Sequence, residues 1–149
     1  IVLYTSSFSV VRAVGQACRQ MRSLFQGYRV PFEERDMALS KDIQEELSER
    51  APGVQPPVVF FNGDLLGDAS TVERMHETGK LAALLAPVPR TELGQHGVCG
   101  ECGDRRFVPC TWCGGDKRSM TAHFGDMVAL RCTACNENGL MRCSACASD

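Results

Sequence analysis

The spacing of apolar and polar positions changes repeatedly along the first 86 residues, and each change marks an element boundary. Ile1-Val2-Leu3-Tyr4 is an unbroken apolar run of the length of a short buried strand. After a polar loop, Val11, Val14, Cys18, Met21 and Phe25 recur at spacings of three and four, which predicts one long amphipathic helix starting near Ser9, with Val10, Val11 and Arg12 in its first turn. Val30 and Phe32 predict a second strand, and Pro31 confines it to an edge or irregular segment because proline cannot donate to a ladder. Ser40 is placed to cap a charged helix that keeps Ile43 and Leu47 on one side. Pro57-Val58-Val59-Phe60-Phe61 predicts a buried strand, and Asn62-Gly63 predicts a two-residue hairpin turn behind it. Ser70-Thr71-Val72-Glu73 has the spacing of a capping box that opens a helix, Gly79 is placed to close it, and Lys80 to Ala86 continues as a short apolar helix.

The predicted order is β, α, β, α, β, β, α, α, the order of a thioredoxin-like layered α/β domain. Composition then shifts abruptly. One cysteine falls in residues 1 to 86 and eight fall in residues 99 to 146, which divides the chain into an α/β domain over 1–86, a linker over 87–98 that starts at Pro87-Val88-Pro89-Arg90, and a cysteine-rich module over 99–149. No apolar run approaches the roughly 20 residues of a membrane-spanning helix, so no membrane partner is expected. The chain opens on Ile1 rather than methionine and is read as an excised piece of a longer protein.

The eight cysteines form four Cys-x-x-Cys pairs separated by seven, eighteen and seven residues. Two sulfurs two residues apart reach one metal ion from a single tight turn, and Zn²⁺ takes four such ligands in a tetrahedron. The symmetric spacing suits a long β-hairpin whose arms lie side by side. Nested sites follow: Cys99, Cys102, Cys143 and Cys146 would hold one zinc, and Cys110, Cys113, Cys132 and Cys135 a second. Gly103 and Gly114 directly follow the second cysteine of their pairs, where a positive φ lets backbone amides face the sulfurs, and Asn136 is read as doing the same in the third turn. A disulfide cluster is the competing reading of so many cysteines.

Metallation changes the charge. Eight thiolates and two dications take the formal value from −2 to about −6, which argues against a nucleic-acid binder. The basic residues between the cysteines are matched in number by acidic ones and offset the thiolates. Eight sulfurs fill two sites, so His123 is read as a solvated loop residue. Trp112, inside the second pair, is a candidate contact for a protein partner.

Pro57-Val58-Val59-Phe60-Phe61-Asn62-Gly63 followed by Leu66-Gly67 resembles the middle of a glutaredoxin. Arg131-Cys132-Thr133-Ala134-Cys135-Asn136-Glu137-Asn138-Gly139-Leu140 and the surrounding pairs resemble the glutaredoxin domain-containing cysteine-rich proteins of animals, which have plant relatives of the same layout. The resemblance covers nearly the whole chain. It implies a glutaredoxin-like domain with a cis-proline at Pro57, a two-zinc module similar to the J-protein cysteine-rich region, and an association with actin-rich stereocilia of sensory cells.

The glutaredoxin resemblance also implies a catalytic cysteine that this sequence lacks. The family nucleophile sits at the N-terminus of the first helix, where unpaired amides and the helix dipole stabilise a thiolate. The matching positions are Gly15-Gln16-Ala17-Cys18, so only the second cysteine of the family motif remains, and Cys18 falls on the apolar stripe. The glutathione site, implied at Pro56, Pro57, Val58, Gly67 and Asp68, is degenerate as well. Pro56 has no N–H to donate, Asp68 replaces a glycine, Ser70 stands where the family has an acid, and the loop Thr5-Ser6-Ser7-Phe8-Ser9 lacks the usual lysine. The sequence therefore favours a non-catalytic scaffold that binds protein through its zinc module in the cytoplasm, where thiols stay reduced. The alternative is a glutathione-dependent thiol-disulfide oxidoreductase using Cys18; a zinc-module chaperone is a third reading by analogy with J-proteins.

Overall fold

The computed structural model describes residues 1–8, 11–91, 99–124 and 128–146. The chain divides into two compact units, one of residues 1–38 and 42–97 and the other of residues 39–41 and 98–149.

In the first unit, strand β1 (Val2–Thr5) leads through helix α1 (Arg12–Tyr28) to β2 (Glu33–Asp36), which lies parallel to β1. Helix α2 (Lys41–Arg50) precedes β3 (Val58–Phe61) and β4 (Asp64–Asp68), an antiparallel hairpin, and α3 (Ala69–Glu77) and α4 (Lys80–Leu85) follow. The sheet order is β2-β1-β3-β4, with β3 antiparallel to β1. This is the mixed four-stranded sheet of the thioredoxin and glutaredoxin fold, and the element order matches the sequence expectation.

Alternation along β1 and β3 sends side chains to two faces. Leu3 and Val59 lie opposite each other and join Met21, Phe25, Val30, Val72, Leu81 and Leu85 in one core, so α1, α3 and α4 cover that face. Tyr4 and Phe60 turn to the other face, their rings 5.5 Å apart at a steep angle. There the buried Tyr4 hydroxyl donates to Glu46 of α2 at 2.7 Å and accepts from Arg50 at 3.0 Å, while the Arg50 guanidinium lies 4.1 Å over the Phe60 ring. A buried hydroxyl costs stability unless bonded, and these partners satisfy it.

Three local expectations are corrected. The second strand is Glu33-Glu34-Arg35-Asp36, not Val30 to Phe32. Arg29 adopts the left-handed conformation that ends α1, Val30 is fully buried in the core, and Phe32 packs on Phe25 with rings 5.9 Å apart. The strand itself is charged because it is an edge, held by Arg22 to Glu34 and Arg35 to Glu33 ion pairs. Helix α1 begins at Arg12, after an extended Val11, rather than near Ser9; Ser9 and Val10 lie outside the described residues. Helix α3 begins at Ala69 and is capped by Asp68, whose carboxylate accepts the Thr71 N–H at 2.9 Å. A charged acceptor two positions earlier takes the capping role from Ser70, which instead donates to Asp68. Gly79 is left-handed between α3 and α4, and Asn62-Gly63 forms the hairpin turn with both residues at positive φ.

Among the described residues the second unit contains four short strands. Strand β5 (Phe107–Pro109) pairs antiparallel with β8 (Leu140–Arg142), and β6 (Arg118–Phe124) pairs antiparallel with β7 (Val128–Arg131). Two nested ladders thus hold the first arm of the module against the last and the inner segments against each other.

Candidate metal centres and the thiol site

The ladders fix where the sulfurs go. Pairing Phe107 with Arg142 and Pro109 with Leu140 carries Cys110 out of β5, and the Cys143 amide donates to Arg106 O at 2.8 Å. Pairing Arg118 with Arg131 carries Cys132 out of β7, and the Cys132 amide donates to Lys117 O at 2.8 Å. Each cysteine pair is thereby held at the end of a ladder, facing a second pair.

Two groups of four result, Cys99, Cys102, Cys143 and Cys146 in the first and Cys110, Cys113, Cys132 and Cys135 in the second, with all sulfurs of a group within 4.8 Å of one another. Sulfur separations are 3.7 Å for Cys99 and Cys143, 3.5 Å for Cys102 and Cys146, 3.9 Å for Cys110 and Cys132, and 3.7 Å for Cys113 and Cys135. A tetrahedron with metal–sulfur bonds of 2.3 Å has an edge of about 3.8 Å. Each group could therefore hold one metal ion, and all nine described cysteines are free of disulfides.

Backbone amides face the sulfurs as well. The Lys117 N–H donates to Cys113 Sγ at 3.3 Å, and the N–H groups of Cys102 and Glu101 pull the Cys99 thiol down to about 7. Gly103 and Gly114 are at positive φ, as expected, whereas Asn136 is not; its side-chain oxygen accepts from the amides of Asn138 and Leu140, each at 3.0 Å. Gly139 takes the left-handed position in that turn. A Cβ there would stand 2.9 Å from the Gly115 carbonyl carbon and nearer still to its oxygen. We expect Gly139→Ala to cost upwards of roughly 2 kcal/mol of module stability, against about 1 to 2 for Gly114→Ala, which has the same strain without the clash. Thermal melts of the metal-loaded variants check the difference.

Trp112 is 69% exposed on the knuckle between Cys110 and Cys113. His123 lies in strand β6 opposite Ala129, not in a loop as the sequence suggests, because the β6–β7 ladder extends through it; its side chain lies outside what is described. Two acidic side chains that the sequence places only in the charge balance touch the first group: Asp104 accepts the Cys99 amide at 2.9 Å, and Glu101 Oε2 lies 3.5 Å from Cys143 Sγ. The available signal was an acid inside the first Cys-x-x-Cys turn.

The thiol of the first unit is differently placed. Cys18 is 4% exposed, on the stripe with Met21 and Phe25 and well inside α1. Burial pushes its pKa up; contact with the Ser6 backbone opposes this, while the charges of Asp36 and Glu34 add to it. Gly15 occupies the first turn of α1, where a thiolate would gain from the helix terminus. The implied glutathione residues do come together. The Pro56-Pro57 peptide is cis, and Val58 pairs in register with Asp68. The Asp68 carboxylate is already engaged with Thr71 and Ser70, which holds its pKa below the usual carboxylate range.

Residues 99–147 match a family model described as GRXCR1/2, C-terminal domain, and residues 15–66 match the glutaredoxin model. The chain is 42% identical over 153 residues to human glutaredoxin domain-containing cysteine-rich protein 1, covering 99% of this chain and 52% of the relative. It is 37% identical over 150 residues to the Drosophila melanogaster protein CG12206 of the same description, covering 98% of this chain and 25% of the relative. The chain belongs to the glutaredoxin domain-containing cysteine-rich proteins. It spans about half the length of the human relative. Among solved structures, wheat glutaredoxin superposes with a TM-score of 0.50 at 26% identity, over 60% of this chain and 82% of that one. A truncated mutant of Trypanosoma brucei 1-C-Grx1 gives 0.52 at 16% identity, over 62% and 84%, and shares the fold. Among the described residues no helix is long and apolar enough to cross a membrane.

Proposed function

We propose that this glutaredoxin-like protein is non-catalytic and acts as a protein-binding scaffold through a module that holds two zinc ions. The observation that carries the reading is the burial of Cys18 within α1, with glycine at the first-turn position where a nucleophile would gain a lowered pKa. Pro56 supplies no N–H to a glutathione backbone, and the end of α3 that could receive an anion already carries the Asp68 carboxylate. Four thiolates at tetrahedral spacing favour zinc over harder ions. Trp112 offers a large exposed aromatic for a partner, and metal-binding thiols need the reducing conditions of the cytoplasm. An association with actin-rich sensory-cell structures follows from family resemblance.

The test is reduction of a glutathionylated peptide by the chain and by Cys18→Ser. Both are expected to run at the uncatalysed rate. Turnover that disappears in Cys18→Ser overturns the reading in favour of a glutathione-dependent oxidoreductase. Cys18 in the folded chain is also expected to react with iodoacetamide at least tenfold more slowly than in urea at pH 8, because its raised pKa and burial keep it a shielded thiol.

A further inference from the structure

The two tetrads are not equivalent. In the second, Cys110, Cys113 and Cys132 are buried, and the cluster is packed against Met141. It lies between the β5–β8 ladder and the β6–β7 hairpin. In the first, two cysteines, Cys99 and Cys146, are partly exposed, against one, Cys135, in the second, and among the described residues the β5–β8 ladder borders it.

The chemistry at the sulfurs differs too. Glu101 sits within the first knuckle, and its Oε2 lies 3.5 Å from Cys143 Sγ while accepting from Ser144 Oγ at 3.3 Å. With a protonated Cys143 this is an S–H to carboxylate contact. With zinc bound the sulfur would be a thiolate, and a carboxylate kept at this position would add an anion beside a site that would already carry four thiolates on one dication. Carboxylate oxygen is an established zinc ligand, with bonds of about 2.0 to 2.2 Å.

We propose that Glu101 is a reserve ligand that makes the first tetrad an exchangeable zinc site, its carboxylate replacing Cys143 on the metal, while the second tetrad holds its zinc for structure. In the exchange the zinc–sulfur bond to Cys143 breaks and a zinc–oxygen bond to Glu101 forms. The sulfur leaves with its electron pair and takes one proton from water, so no oxidant or reductant is involved. The repulsion between Glu101 and Cys143 is removed in the same step, which favours the substitution. Ser144 holds the carboxylate beside Cys143, from where a turn of the Glu101 side chain would bring it to the metal, and the partial exposure of Cys99 and Cys146 gives water and competing chelators access.

Native mass spectrometry of the full chain, loaded with zinc under reducing conditions, tests this with Cys143→Ala and Cys143→Ala/Glu101→Gln. The single variant is expected to keep two zinc ions and the double variant one, the remaining ion at the second tetrad showing that the module is folded in both. In the unaltered chain, transfer of zinc to a chromophoric chelator is expected in two phases of one equivalent each. Glu101→Gln slows the first by about tenfold, the lower end of what groups next to metal ligands contribute. Equal zinc content in the single and double variants, or a first phase indifferent to Glu101→Gln, overturns the proposal. It rests on the zinc assignment above, and the two fail differently: an unaltered chain without zinc defeats that assignment, whereas two bound zinc ions with no effect of Glu101 defeat only this inference.

Discussion

Stripping metal from the reduced chain with a strong chelator is expected to unfold residues 99–146 while the α/β unit keeps its structure. Among the described residues the second unit has strands of three to seven residues, and its apolar cluster is made of the cysteines themselves with the partly buried Met141 against them. Such a unit has little apolar surface to offset the conformational entropy of ordering its backbone. Structural zinc contributes apparent binding free energies of about 10 to 16 kcal/mol at neutral pH in small modules, and that energy is folding energy. Amide protection should vanish along β5 to β8 and persist along β1 and β3, which lie in a core without metal ligands. Hydrogen exchange followed by mass spectrometry reads this directly. Persistence of protected β5 and β8 amides after full metal removal would show that the module folds on packing alone. Acid acts in the same direction as the chelator, since protons compete with the metal for thiolates, so the module is expected to be lost as pH falls.

The second large effect is in the other unit. Phe25→Ala is expected to destabilise it by about 3 to 5 kcal/mol, the usual range for removing a large aromatic from a close-packed core. Phe25 is fully buried in the cluster of Leu3, Met21, Val30, Val59, Val72, Leu81 and Leu85, with Phe32 against its ring. A domain of this size has a total stability of about 5 to 15 kcal/mol, so the variant should be close to its folding threshold at physiological temperature. Urea titration followed by far-UV circular dichroism measures the shift in midpoint. A change below about 1 kcal/mol would mean that the site collapses around the smaller side chain, contrary to the packing described here.

These predictions separate the two units. Its sheet and helices form a complete core whether or not a thiol stands at the start of α1. Two residues at the positions implied for glutathione and thiol chemistry have structural roles, Asp68 capping α3 and Cys18 filling part of the helix stripe.

Much of this was legible along the chain. The 3.6-residue stripe of Val14, Cys18, Met21 and Phe25 and the unbroken Val58-Val59-Phe60 run place α1 and β3, because burial on one helix face or both sheet faces leaves a direct record in residue type. The four Cys-x-x-Cys pairs, at gaps of seven, eighteen and seven residues, imply nested tetrads because short tight turns leave few ways to bring four sulfurs together. Edge strand β2 was not legible. Its residues are Glu33, Glu34, Arg35 and Asp36, and its place is set by backbone pairing with β1 and by ion pairs across to α1, not by apolar alternation. Nor was the start of α3, where three neighbouring polar residues compete for one cap and only the backbone angles at Asp68 decide between them.

What the sequence determined by itself was therefore what is encoded locally: the order of elements, the grouping of the cysteines and the absence of a thiol at Gly15. The tertiary structure decided what depends on groups far apart in the chain. It buried Cys18 within the field of Asp36 and Glu34, paired Val58 with Asp68, and set the Glu101 carboxylate against Cys143, forty-two positions away. A periodicity records which face of an element is covered, but it does not record which distant side chain covers it, and the chemistry of both thiol environments is set by that second fact.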